Sequence, residues 1–203
     1  MFERFLQNFP QTYLPSKTET SNHFDLANLF EQARLSKQFL SEFEGSTFSN
    51  GLYRIHRLAE IEKWTQIVET IFPNFKGFIK CFSYDWMGRQ FAIDFSRYLS
   101  NEALILMFDI GANQVFKIPR SFCDFHNFEI VDYSNDALNS YFFEEWKTVT
   151  NNTKIDPDRC VGYKVPLFLN GEDTVENLKE VDMQVYWELL GQFIGTHRLK
   201  KIE

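Results

Sequence analysis

Cys123 and His126 stand three residues apart in the segment SFCDFHN. On a helix that spacing puts a thiol and an imidazole on one face. They could begin a zinc site or form a nucleophile–base pair. Zinc needs three or four protein ligands, and His23, His56 and His197 form no second pair at ligand spacing. No metal is therefore expected. A thiol nucleophile needs a lowered pKa and an accessible setting. Cys81 lies inside an apolar strand pattern between Ile79 and Phe82, and no signature of a cysteine enzyme surrounds Cys123. A small hydrolase or deaminase using Cys123, His126 and a nearby aspartate stays as the alternative. Asp85, Asp94 and Asp109 fall near strand ends, where paired carboxylates do acid–base work. The simpler reading is that Asp85 and Asp109 open turns and Asp94 pairs with Arg89 or Arg97. Gly51, Gly77, Gly88 and Gly111 are isolated, so no phosphate loop is present. The residues assign no catalytic group, no cofactor site and no metal ligand.

A second kind of chemistry is charge. Glu172, Asp173, Glu176, Glu180 and Asp182 fall within eleven positions, with Lys179 the only base. The plain reading is a solvated helix face. The sharper one is a docking surface for a basic partner. Over the whole chain 28 acidic residues outnumber 21 basic ones, a net charge of −7. That argues against nonspecific nucleic-acid binding, which needs clustered Lys and Arg. It suits a basic protein partner, whose approach it would steer.

The elements that position these groups can be read from periodicity. With 203 residues, 44% hydrophobic and 23 of them Phe, the chain can bury a large aromatic core. Its three cysteines, Cys81, Cys123 and Cys160, suggest no disulfide framework and favour a reducing compartment. The start, MFERFLQNFP, has no signal-peptide pattern, and the longest apolar run, Ala103 to Phe108, suits a buried strand. A cytoplasmic location is expected.

Phe2, Phe5, Leu6 and Phe9 recur at helical spacing before Pro10. Leu26, Leu29, Phe30 and Ala33 repeat the pattern, as do Phe39, Leu40 and Phe43 before Gly45. Residues 46–51 read as a polar turn and 52–56 as a short strand. Leu58, Ile61, Trp64, Val68 and Ile71 define a helix ended by Pro73. Strands follow at 78–82, 90–95, 104–108 and 114–118, joined by turns at 85–88 and 109–113, with Gly111 available for positive φ. Short consecutive connections predict an antiparallel meander. Residues 121–129 are short and mixed. Ser134 is placed as the cap of one helix to Val149, with Leu138, Tyr141, Phe142 and Trp146 on its apolar face. Residues 151–159 form a polar loop, 160–169 a strand interrupted by Pro166, and 170–171 a turn. Thr174 caps a helical turn through Leu178. Asp182 caps a last helix burying Met183, Tyr186, Trp187, Leu190, Phe193 and Ile194.

Several segments carry a resemblance. They are GLYRIH at 51–56, Trp64 with Phe72 and Pro73, and CFSYDWMGRQFA at 81–92, the most specific block. Ile118, Pro119, Ser121 and Phe122 with FHN at 125–127 follow, then GEDTVENL at 171–178. In order and spacing the chain resembles, over residues 50–195, the bacterial type VI secretion DNase-immunity proteins. These combine a GAD-like N-terminal region with a C-terminal immunity domain. Where that family often has Gly-Thr-Gly, this chain has Gly111, Ala112 and Asn113, a departure confined to one hairpin.

The resemblance implies a SUKH-like α/β fold without enzyme activity that binds a cognate toxin in the cytoplasm. Together these readings predict an α/β fold of α+β type: mainly an antiparallel meander packed by helices, with N-terminal helices. Residues 1–50 would be a reduced GAD-like region and 51–203 the immunity-type domain, in one compact unit. The expected partner is a basic toxin, a nuclease, with no cofactor, no direct nucleic-acid binding and no membrane contact. Candidate partner-binding residues are Asp85 and Trp86 in the turn at 85–88, and Glu172, Asp173, Glu176, Glu180 and Asp182. An orphan ligand-binding domain with an aromatic pocket is the remaining alternative.

Overall fold

The computed structural model describes residues 2–15 and 36–200, with side chains as far as residue 196. The expected helix through Leu26, Leu29, Phe30 and Ala33, and His23 and the side chain of His197, lie outside the described residues. Strands β1 (Gln11–Tyr13), β2 (Thr47–Phe48), β3 (Tyr53–Ile55), β4 (Ile79–Asp85), β5 (Gln90–Leu99), β6 (Glu102–Asp109) and β7 (Gln114–Ser121) form one sheet in sequence order. Every neighbouring pair is antiparallel, as the short connections require. A second, two-stranded sheet pairs β8 (Arg159–Tyr163) with β9 (Leu178–Asp182).

Helices cover both faces of the large sheet, which explains the unbroken apolar run at 103–108. In β6, Ala103, Ile105 and Met107 enter one core, while Leu106 and Phe108 enter the other. A strand buried on one side alternates; one buried on both sides does not. The first core holds α1 (Glu3–Asn8), α2 (Ser36–Phe43), α4 (Ser134–Leu138) and α5 (Ser140–Thr150). The second holds α3 (Ile61–Ile71) and α6 (Met183–Lys200). Leu58, Ile61, Trp64, Val68 and Ile71 are all buried, as their spacing predicts.

Four local expectations differ from the structure. The helix from Ser134 is two helices, because Asn139 takes a left-handed conformation (φ 50°) between them, and Ser134 makes no capping bond to the backbone. Tyr141 (76% exposed) and Val149 (61%) consequently face solvent. Phe193 is likewise exposed on α6. Residues 46–51 include β2, whose pairing with β1 and β3 makes the N-terminal segment an edge strand of the sheet. Gly111 does not supply the positive φ of its hairpin; Asn113 does (φ 52°). Gly111 is needed for space, since a Cβ there would lie 2.8 Å from Tyr163 Cδ2 and 3.1 Å from Tyr186 Oη.

The turn from Asp85 to Arg89 joins the parts. Asp85 and Trp86 are completely buried. Asp85 Oδ1 accepts the backbone N–H groups of Met87 and Arg89, each at 3.0 Å, and Oδ2 accepts Arg89 Nε at 2.6 Å. Arg89 Nη2 contacts the same Oδ2 at 2.6 Å and donates to the carbonyl of Ala137 at 3.1 Å. Burial disfavours the guanidinium, but Asp85 and Asp109 outweigh it, so the Arg89 pKa moves upward. Outward from this turn, Trp86 Nε1 donates to Leu138 O at 2.9 Å and Trp187 Nε1 to Gly88 O at 2.8 Å. Val161 N–H reaches Trp86 O at 2.8 Å, tying β8 to the large sheet.

Arg54, also fully buried, ties down the polar loop. Its Nη1 donates to the carbonyls of Asp156 (3.0 Å) and Arg159 (2.6 Å), and its Nη2 to Asp85 O (3.2 Å). Its guanidinium lies 4.6 Å from the Tyr84 ring centroid.

Two stability outcomes follow. Gly111→Ala should destabilise the fold by about 1–3 kcal/mol through overpacking against Tyr163, read as a lower urea midpoint with unchanged slope. Arg89→Met should cost about 3–5 kcal/mol by stranding the Asp85 carboxylate. Adding Asp85→Asn should restore part of that loss, and a double variant less stable than Arg89→Met would contradict the role assigned to the pair.

Candidate functional site

The Cys123–His126 pair does not form a reactive site. Both residues sit in the helical segment 122–132, but their surroundings differ. Cys123 is half-buried, and burial pushes its thiol upward, away from the thiolate. His126 is fully buried inside an aromatic cage. Its ring centroid lies 4.4 Å from Phe39, 4.5 Å from Phe122, 5.2 Å from Phe125 and 5.3 Å from Phe5.

The hydrogen bonds of His126 fix its tautomer. Nδ1 lies 2.8 Å from the carbonyl of Phe122, which can only accept, so Nδ1 carries the proton. Nε2 lies 2.9 Å from the Tyr53 hydroxyl, which also bonds Ser83 Oγ at 2.8 Å. Burial lowers the His126 pKa to about 3. The imidazole is a neutral packing group with both nitrogens engaged. The cysteine–histidine hydrolase reading therefore loses its base to the core, a correction the sequence spacing could not supply.

The other chemical candidates are also structural. Cys81 and Cys160 are buried thiols, and burial pushes the Cys160 pKa up to about 12. Asp94 pairs with Arg97 at 2.5 Å, one of the two partners expected. His56 donates from Nε2 to Gln90 Oε1 at 2.7 Å and stacks on Tyr84 at 4.6 Å; burial takes its pKa down to about 3. Among the described residues no three His, Cys, Asp or Glu converge at metal-binding distance. No helix among them is long and apolar enough to cross a membrane.

Of the surface candidates, Asp85 and Trp86 are corrected at once. A completely buried turn offers no side-chain surface to a partner of the folded protein, and their burial follows from the bonds to Arg89, Leu138 and Val161. The acidic run does reach the surface, but not as a helix face. Residues 178–182 are β9, so Glu180 and Asp182 sit on a strand paired with β8. Glu180 is committed to Arg159 at 3.1 Å. Asp182 caps α6, as expected, by accepting Val185 N–H at 2.9 Å. Thr174 makes no side-chain cap. Asp173 accepts the Tyr163 hydroxyl at 2.6 Å. Glu172, Asp173, Glu176 and Asp182 are exposed.

Next to this run lies a cleft of about 320 Å³ that sequence reading missed. One wall is the end of the large sheet, where Gln114, Phe116 and Ile118 alternate on one face of the edge strand β7, beside Met107 and Asp109 of β6. The other wall comes from Glu129, Asp136, Ala137, Tyr163, Leu167 and Asp173. Glu129 is committed to Arg120 at 2.8 Å and Arg89 to Asp85 at 2.6 Å. Burial raises the Asp109 pKa, and the nearby Asp173 adds to the rise.

Comparison with known proteins bears on part of this region. Residues 125–194 match the family model described as "T6SS immunity protein Tdi1, C-terminal". No curated protein gives a match. Among solved structures, Atu4351 from Agrobacterium tumefaciens superposes with a TM-score of 0.65, covering 95% of this chain and 89% of that one at 17% sequence identity. At that identity the likeness establishes a shared fold.

The matched segment opens on the caged histidine, and its titration should be measurable. In the folded state His126 and His56 stay neutral down to about pH 3, whereas their unfolded pKa is near 6.5. Their contribution is complete above pH 6.5 and is lost as pH falls toward 3. The loss is about 1.4 kcal/mol per pH unit for each histidine. The buried Asp85 and Asp109 carboxyls, raised by burial, act in the opposite sense. His126→Gln isolates the histidine: urea unfolding between pH 6 and 4 should show a slope smaller by about that amount. An unchanged slope would mean that His126 is not held neutral.

Proposed function

We propose that this protein is an immunity protein that binds a cognate type VI secreted toxin and neutralises it by protein–protein contact. The observation that carries this reading is the match of residues 125–194 to the type VI immunity model. The net charge of −7 and the exposed Glu172, Asp173 and Glu176 support a basic partner. A nuclease is the toxin we favour, because an enzyme that grips phosphate must present Lys and Arg, which an acidic inhibitor can occupy. Inhibition of that kind needs buried anchors and complementary charge, with no catalytic group and no cofactor. We place the protein in the cytoplasm, in the SUKH-like class, with residues 1–50 as a reduced GAD-like region joined to 51–203 in one unit.

The test is co-purification with the secreted effector encoded beside its gene, followed by DNA cleavage with and without this protein. The reading expects a stable complex and loss of cleavage; a folded, active effector that neither binds nor is inhibited would refute it. Within such a complex, Glu172→Lys with Glu176→Lys should slow association about ten-fold at low salt, with a smaller effect at high salt. Stopped-flow rates that do not change would remove the acidic run from the interface.

A further inference from the structure

We propose that the cleft between β7 and the 129–173 wall is the toxin's anchoring site, and that it takes one basic side chain, an arginine or lysine, from the partner. This deepens the immunity reading and rests on it. Three observations converge on the cleft, which shares only Asp173 with the exposed acidic run.

The first is an excess of negative charge. Asp109, Asp136 and Asp173 line the cleft, and none has a cationic side chain within salt-bridge distance among the described residues. The one cation in the lining, Arg89, is bonded to Asp85 and acts on Asp109 through space without a salt bridge. Asp109 accepts Ala112 N–H at 2.9 Å and Asp173 accepts the Tyr163 hydroxyl at 2.6 Å, each through Oδ1. An ionised carboxylate has lone pairs for further donors. Burial is the main cause that raises the Asp109 pKa and Arg89 opposes it; a guest cation would act in the same sense as Arg89.

The second is shape and polarity. Part of each wall is apolar, with Met107, Ile118 and Phe116 (43% exposed) on one and Ala137 and Leu167 on the other. A long aliphatic stem ending in a cation matches that combination. The volume, about 320 Å³, is at the small end of ligand pockets. The carboxylates do not converge on a point as metal ligands do, so a guest with spread donors, such as a guanidinium, suits them better than a bare ion. An anionic guest would meet three carboxylates outside any salt bridge, against one buried cation already bonded to Asp85.

The third is position. Residues 125–194, the stretch matched by the immunity model, supply the whole second wall, including Asp136 and Asp173. Buried arginine anchors seated in pockets dominate the energetics of many interfaces, and this is a pocket of that kind on the matched part of the chain.

The test has two arms on the full-length protein. In the first, amide NMR follows titration with N-acetyl-arginine amide, using the neutral isostere N-acetyl-citrulline amide as control. Shifts at the amides of 111–113 and 137–139 are expected with arginine only. Asp136→Asn with Asp173→Asn should weaken them at least ten-fold. Both positions are exposed, and asparagine still accepts the Tyr163 hydroxyl. No shift at these amides, or equal shifts with citrulline, overturns the inference. In the second arm, the same double variant is titrated with the toxin. A Kd raised at least ten-fold, at unchanged thermal unfolding, supports the anchor. An unchanged Kd overturns the anchor and leaves immunity standing. A wild-type protein that holds arginine in the cleft but binds no toxin refutes the immunity reading instead.

Discussion

The buried ion pair between Asp85 and Arg89 is the constraint on which the rest of this structure depends. Removing both charges from water carries a cost of several kcal/mol per ion. It is tolerated here because the lone pairs and protons have places to go: two backbone N–H groups and the guanidinium for Asp85, and the Ala137 carbonyl for Arg89. The pair thereby fixes the shape of one tight turn. That turn offers Trp86 to the Leu138 carbonyl, Trp86 O to Val161, and Gly88 O to Trp187. At Gly88, a Cβ would lie 2.9 Å from Cys160 Sγ, so the close approach of β8 requires glycine there. One turn between two strands thus sets where α4, β8 and α6 can sit.

That arrangement separates structural chemistry from functional chemistry. The groups that look reactive in the sequence, His126, Cys81 and Asp85, are committed to the interior, where burial and hydrogen bonds hold each in one state. The groups left open are carboxylates at the seam between the large sheet and the 129–173 wall. Asp109 is placed there by the β6–β7 hairpin, Asp136 by the first turn of α4, and Asp173 by the bond from Tyr163. Each of these elements leans on the turn at 85–89, through Arg89 and Ala137 or through β8. A rigid interior that fixes an acidic concave surface fits a protein that acts by binding.

Much of the fold was legible in the sequence. The strands from 79 to 118 carry runs and turns that only a meander accommodates, and α3 and α6 show their buried faces through spacing. What was not legible depends on long-range pairing. Strands β1 and β2 are two or three residues long and carry no period of their own. The segment LKEVD at 178–182 reads as helix by its charge spacing and becomes β9 because β8 lies beside it. Asn139 breaks a continuous helical pattern with one left-handed residue, a choice open to asparagine and invisible to periodicity. Arg54 gave no sign that it would be buried against carbonyls more than a hundred residues away. The acidic run was visible as composition. The cleft was not, because its walls come from four separate stretches of chain.

The central claim is that the turn at 85–89 welds the large sheet, β8–β9 and α6 into one cooperative unit. Native-state hydrogen exchange tests it most directly. Val161 and Trp86 amides should exchange with the same free energy as the sheet amides of Ile93 and Ile105, and Arg89→Met should lower all four together. If Val161 and its β8 neighbours exchanged through a separate, cheaper opening that left the sheet protected, the two sheets would be independent and the account would be wrong.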